Sequence, residues 1–177
     1  ESKLPNHSRC YWSDMRTRFV PAPFKISHGM SNYSRYQSTT CRTLAIPQDP
    51  LYYYGIFKKY YGPVIQRFPI EGRKGDWVII NIHLSAFDDR ASIRKLQLDA
   101  LFEFAEQEFA TGNYVIIGGD WNMRMAPTEF PHKTPENARF WVFDFPAEKL
   151  PAGWALAVDE TVPTVGTINQ AFVKGDN

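Results

Sequence analysis

Residues 77–125 read WVIINIHLSAFDDRASIRKLQLDALFEFAEQEFATGNYVIIGGDWNMRM, and their pattern decides the fold. The stretch opens on an apolar, β-branched run, Trp77 to Ile80, which continues through Asn81, Ile82, His83 and Leu84. It closes on a second run, Tyr114 to Ile117, ending in Gly118-Gly119-Asp120-Trp121-Asn122. Between them the spacing is helical, so the order is strand, helix, strand. Strands this continuous in apolar residues are expected to be covered on both faces. The polar exceptions, Asn81, His83, Asp120 and Asn122, fall at or just beyond the carboxyl ends of the strands, where sheet-based enzymes gather their ligands. The two glycines before Asp120 leave a bare backbone that a ligand can approach closely. Taken singly, an Asn or His at a strand end is an ordinary hydrogen-bonded residue, and G-D-x-N is an ordinary turn. Their order around a helix favours a site.

The helix is expected over Ala91 to Ala110, started by Asp88 or Asp89 and closed by Gly112 in a left-handed cap. Lys95, Asp99, Glu103 and Glu106 form its polar stripe, with Lys95–Asp99 as a favourable i,i+4 pair. Ile93, Leu96, Ala100, Leu101 and Phe104 are expected to face the sheet, and Leu98, Phe102 and Phe109 widen the apolar arc. Arg94 and Gln97 fall inside that arc. Buried polar groups need partners, so both read as braces between helix and sheet-end loops rather than as catalysts.

Outward from this core, Val64 to Ile70 reads as a strand. Glu71 to Asp76 is a polar, glycine-containing turn, so residues 64–84 form a hairpin. Residues 40–46 read as a further strand, and residues 1–23 carry few periodic signals. Leu51 to Tyr61 holds tyrosines at 52, 53, 54, 60 and 61 with Lys58 and Lys59. It could stack and contact single-stranded nucleic acid, but inward-packed aromatics with solvated lysines are the favoured reading. After Asn122 the pattern dissolves into a proline- and aromatic-rich loop over 126–153, followed by a short strand at Trp154 to Val158.

At 177 residues, 44% hydrophobic and 22% charged, the chain reads as one globular domain. The longest apolar run falls far short of the ~18 residues of a membrane-spanning helix, and the polar start ESKLPNHSRC is unlike a signal peptide. A net charge of +1 neither attracts nor excludes a polyanion, so any phosphate would be handled locally. Compartment stays open. Cys10 and Cys41 lack metal-site spacing; they either pair in an exported protein or stay buried thiols, and thiols are the favoured reading.

Asn81-Ile82-His83-Leu84 resembles the N-x-H-L motif of the endonuclease/exonuclease/phosphatase superfamily, and Gly119-Asp120-Trp121-Asn122 its G-D-x-N motif. Arg94 and Gln97 match the R-x-x-Q on the helix between them. The resemblance is strong over 64–125 and weaker outside. Glu1-Ser2-Lys3-Leu4 resembles the segment that holds the superfamily's metal-binding glutamate. His28 to Tyr36 resembles its G-x-x-x-x-S-R-Y strand, and Val162-Pro163-Thr164 the approach to its last strands. The resemblance implies a deoxyribonuclease-I-like fold. This is an α/β (α+β), four-layer α/β/β/α sandwich of two facing, mostly antiparallel sheets with outer helices.

It also implies a metal-dependent phosphoesterase, a nuclease or phosphatase using Mg2+ (or Mn2+). Asp120 would hold the attacking water, Asn122 would donate to the phosphoryl group, His83 would contact a phosphate oxygen, and Glu1 would bind the metal. Asn81 and Arg124 would contact substrate. Met123-Arg124 extends the motif to G-D-x-N-x-R, as in inositol-polyphosphate phosphatases. Substrate and partner are then a phosphoester: nucleic acid, a small phosphorylated molecule or a lipid headgroup. The superfamily's early Asn and its C-terminal Asp-His pair have no counterpart among these residues, so the chain resembles the central part of such a domain. The alternative is a non-catalytic binding domain, or pseudoenzyme, of the same fold.

Overall fold

The computed structural model describes residues 8–16, 27–48, 53–54, 57–58, 62–86, 88–127, 142–162 and 164. The hairpin forms as expected: β6 (Val64–Pro69) pairs antiparallel with β7 (Asp76–His83), Val64 opposite Asn81 and Pro69 opposite Asp76. For the numbering, β1 is Ser8–Arg16, β2 Ser27–Ser34, β3 Thr40–Thr43, β4 Tyr53–Tyr54, β5 Phe57–Lys58, α1 Ser92–Ala110 and β8 Tyr114–Asp120. After α1 the chain returns as β8, parallel to β7. A parallel neighbour requires such a crossover, because the chain must travel back to the strand's starting end. With β3 antiparallel to β6, the sheet order is β3-β6-β7-β8.

Alternation along β7 divides the sheet. Val78, Ile80 and Ile82, with Ile65 on β6, are buried to 1% exposure or less and meet Leu98, Leu101 and Phe102 of α1. Burial of each such side chain favours the fold by about 1.5–3 kcal/mol relative to exposure. Phe145, from the loop after β8, joins this core and meets Phe102 and Trp121 edge-on. Trp77, Ile79, Asn81 and His83 point to the other face, against part of which lies a hairpin of β1 and β2. Helix, four-stranded sheet and hairpin are thus stacked in that order, a mixed α+β fold. β4 and β5 form a separate two-residue ladder; the rest of the tyrosine-rich segment, like the proline-interrupted segment at 19–24, lies outside the described residues.

The helix begins one residue later than expected. A 3-10 turn over Asp89–Ala91 precedes it, and Asp88 takes its first N–H groups: Ile93 N at 2.8 Å and Arg94 N at 3.1 Å donate to Oδ2. Gly112, at φ 92°, closes it. The buried stripe differs from the expected one. It runs Arg94, Gln97, Leu98, Leu101, Phe102, Ala105, Glu108, whereas Leu96 and Phe109 are exposed. Three polar residues lie on the stripe and find partners; Arg94 and Gln97 were expected there, and Glu108 was not. Glu108 receives Arg67 and Asn113. The expected Lys95–Asp99 pair gives way to Lys149–Asp99, which ties the loop after β8 to the helix.

Three further expectations are corrected. Trp154 to Val158 does not form a strand, since no described strand lies beside it to complete a ladder. Within the weakly patterned stretch 1–23, Ser8–Arg16 form a strand, β1, whose pairing with β2 shifts by a bulge between Ser13 and Met15. Cys10 and Cys41 are not thiols. Cys10 faces inward from β1, Cys41 lies on β3, and stacking brings their Cα atoms to 5.4 Å in a disulfide. Among the described residues no helix is long and apolar enough to cross a membrane.

The disulfide fastens the β1–β2 hairpin to the four-stranded sheet across a separation of 31 residues. Closing a loop of that size removes about 3–4 kcal/mol of unfolded-state freedom. Cys10→Ser/Cys41→Ser is therefore expected to lower the denaturant midpoint by that equivalent while leaving the helical circular-dichroism signal in place. A midpoint unchanged by the double substitution or by reductant would show that the cross-link contributes nothing.

Candidate active site at the carboxyl ends of β7 and β8

The parallel register sets His83 beside Asp120 and Asn81 beside Gly118. All four lie on the sheet face away from α1. His83 Nε2 stands 3.7 Å from Asp120 Oδ2, within ion-pair reach and beyond hydrogen-bond length. Leu84 N donates to the Asp120 carbonyl at 2.9 Å, carrying the ladder one step past the strand end. Asp120 Oδ1 accepts the Asn122 N–H at 2.9 Å, the side-chain-to-backbone turn that Asp favours. Asn122 has φ 50°, a left-handed conformation that Asn tolerates better than most residues. Its Nδ2 donates to Leu84 O at 2.9 Å, so its second N–H is the one left for a ligand. The Asp120 side chain is 59% exposed and that of His83 28%. The carboxylate is therefore solvated while Asn122 beside it is tied to backbone.

Behind the loop, Arg94 donates through Nη1 to the Asn122 carbonyl and through Nε to Asp88 Oδ1 at 2.6 Å. Gln97 accepts from Ser85 N at 2.8 Å and donates to Pro47 O at 2.9 Å. Both residues brace sheet-end loops, as their place in the apolar arc implied.

Of the other expected residues, Asn81 lies next to the cluster and donates through Nδ2 to Asn32 Oδ1 at 2.8 Å. Arg124 is engaged elsewhere, with its guanidinium on Asp144 and its backbone bridging Phe143 and Phe145. The hydrogen bond from Arg124 holds the Asp144 carboxyl below the usual range despite some burial, and the same contact raises Arg124. Glu1 lies outside the described residues. Asn32, Asp88 as a site brace and Asp144 are the contributors the sequence reading missed; none carries a motif of its own. An acidic groove lined by Asp99, Glu103, Glu106 and Glu148 runs along the outer side of α1 and includes no residue of the cluster.

Magnesium takes hard oxygen ligands, commonly one or two carboxylates with water and substrate phosphate. The cluster offers one carboxylate, Asp120, and no group of three or more His, Cys, Asp or Glu suited to a metal occurs among the described residues. The described donors fit an ion bound mainly through water and substrate, and fall short of a dedicated protein cage. Comparison with family models, curated proteins and solved structures finds no match for the chain.

Gly119 has no tolerance for a side chain. Its φ is +133°, and a Cβ there would lie 2.1 Å from Ile82 O and 2.9 Å from Asn81 Oδ1. Gly119→Ala is expected to destabilise the fold by at least about 1–3 kcal/mol, the cost of a strained backbone, read as a lower denaturant midpoint. An Ala variant as stable as the parent would mean that β8 lies farther from β7 than described. The Asp144 pair is a weaker, pH-dependent matter. A lowered carboxyl pKa contributes stability above the ordinary Asp value of about 3.9, lost as pH falls through the folded value. For so exposed a pair the size is about 0.2–1 kcal/mol. Asp144→Asn should lower Tm slightly at pH 7, with the difference shrinking below about pH 4; a difference that grows in acid would contradict the assignment.

Proposed function

We propose that the chain is a metal-dependent phosphoesterase of the endonuclease/exonuclease/phosphatase type, a nuclease or phosphatase in which Asp120 activates the attacking water. The observation that carries this reading is the register of β8 on β7. It sets a solvated carboxylate against an imidazole, with Asn122 tied to the carboxylate and to the Leu84 carbonyl. These residue types, in this order, are those the resemblance assigns to the reaction.

Asp120 Oδ1 is occupied by the Asn122 N–H, which fixes the carboxylate plane and leaves Oδ2 to orient and deprotonate a water. His83, on the Oδ2 side, is placed to contact a phosphate oxygen. The second N–H of Asn122 is a donor for the charge that develops on the equatorial oxygens. Asn81 is the nearer substrate contact; Arg124 has its Nε committed to Asp144. Glu1, where the resemblance places the metal-binding glutamate, would hold Mg2+ (or Mn2+), which would polarise the phosphoryl group and stabilise the leaving oxygen. The substrate is a phosphoester of nucleic acid, a small phosphorylated molecule or a lipid headgroup. The proposal includes the four-layer α/β/β/α sandwich, with β1 and β2 as the start of its second sheet.

Asp120→Asn keeps the acceptor for Asn122 and removes the charge. With Mg2+ and a panel of DNA, RNA and small phosphoesters, it is expected to lower kcat by roughly 10²–10⁴-fold, the usual worth of a positioned base. Tm should stay within a degree or two of the parent by the usual tolerance of surface positions. Added metal should not restore the rate; partial rescue would make Asp120 chiefly a metal ligand. An unchanged kcat, or a collapsed fold, would identify the motif as a structural turn.

A further inference from the structure

Asn32 sits on β2, directly opposite Cys10 on β1, and the disulfide of Cys10 ties that strand to β3. Met30, two residues earlier on the same face, packs with Cys10 and Val64 in a small buried cluster. Val64 is the register partner of Asn81 on the neighbouring strand. The hydrogen bond from Asn81 Nδ2 to Asn32 Oδ1, at 2.8 Å, therefore crosses from one sheet to the other beside apolar side chains. In such surroundings the bond is stronger, and an unmet polar atom more costly, than in water.

The Asn32 carboxamide is only half used. Its Nδ2 is buried and has no hydrogen-bond partner among the described residues. Leaving a buried donor unmet costs as much as, or more than, a single amide–amide hydrogen bond returns, so the Asn32–Asn81 bond adds little net stability. Retention of a half-satisfied amide calls for another explanation. The other end of the bond supplies one. The Asn81 side chain lies beside Gly119, its Oδ1 2.9 Å from the point where a Cβ would stand, and Gly119 precedes Asp120. Two residues beyond Asn81 is His83. A rotation of the Asn81 side chain would move polar atoms at the base of the cluster.

We propose that Asn32 is a positioning residue of the candidate active site. Its carboxamide oxygen fixes the rotamer of Asn81 and with it the substrate-contacting edge of β7. The proposal rests on the phosphoesterase reading above. It assigns the β1–β2 hairpin a role in the site without placing any hairpin residue on the reacting atoms.

The test uses Asn32→Leu, which fills the same volume and removes both the acceptor and the unmet donor, with Asn32→Ala as a second variant should Leu not fold. In the full chain, with Mg2+ and the best phosphoester substrate, kcat/KM should fall about 5–50-fold, in the range of couplings between contacting residues. Tm should change little, since the unmet Asn32 donor is removed while Asn81 Nδ2 loses its acceptor. Asn81→Ala should show an equal or larger loss, since it also removes the proposed substrate contact, and adding Asn32→Leu to it should cost little more, because the contact they share is already gone. The Asn81 side-chain amide protons, followed by NMR, should exchange with solvent faster in Asn32→Leu than in the parent. Additive losses, or a lower Tm with unchanged kcat/KM, would reduce Asn32 to a structural residue and overturn the proposal. Should the parent turn over no phosphoester, the function fails on its own account. The Asn81 amide then decides the hold by Asn32: equal exchange in parent and variant refutes it, and slower exchange in the parent upholds it.

Discussion

A buried guanidinium holds the site together. Arg94 is 1% exposed, grips Asp88 through Nε and reaches the Asn122 carbonyl through Nη1, with the ring of Phe143 4.9 Å from its charge. Asp88 is equally committed, since its other oxygen takes two N–H groups of the first turn of α1. The start of the helix, the loop before it and the loop after β8 therefore share one ion pair. Taking two charges out of water costs several kcal/mol each, and a well-packed apolar pair often matches or exceeds the stability of the ions it replaces. Stability alone does not account for Arg94. No apolar side chain could hold the carbonyl of Asn122 in a left-handed turn, and that turn aims the Asn122 N–H at Asp120.

This constraint explains which parts of the chain were legible in its sequence. The strand–helix–strand unit was readable because two apolar runs flank a segment of helical period, and three features agreed on its limits: Asp88 before, Gly112 after, and turn residues at 71–76. Arg94 and Gln97 were readable as braces because a charged or amide side chain within an apolar arc must find partners. The meeting of His83 and Asp120 follows from parallel pairing, which sets the residues that end two adjacent strands side by side. Asn122, beyond the strand, is brought in by its bonds to Asp120 and Leu84.

Other features depend on contacts between segments far apart in the chain, which no local pattern encodes. The rotated face of α1 is one. Periodicity ranks residues by hydropathy and so favours Leu96 over Glu108, yet Glu108 is buried because Arg67 and Asn113 meet it there. Lys149 takes Asp99 from Lys95 for the same reason, since a partner 50 residues away arrives by tertiary folding. Cys10 and Cys41 pair because two sheets stack, and β1 escaped notice because its bulge interrupts the alternation that marks a strand.

The candidate site lies where these layers meet. The helix fixes Asn122 from one side of the sheet through Arg94, and the hairpin fixes Asn81 from the other through Asn32. Between them Asp120 stays largely in water. Such a division suits the role proposed for Asp120. Exposure of the carboxylate leaves it open to water, while the held neighbours limit the conformations from which water can be misdirected. Gly119 is the point at which the arrangement has no slack. Its bare backbone lets β8 close against the Ile82 carbonyl and the Asn81 amide together. Were that contact loosened, both braces could remain intact and still hold their residues at the wrong separation.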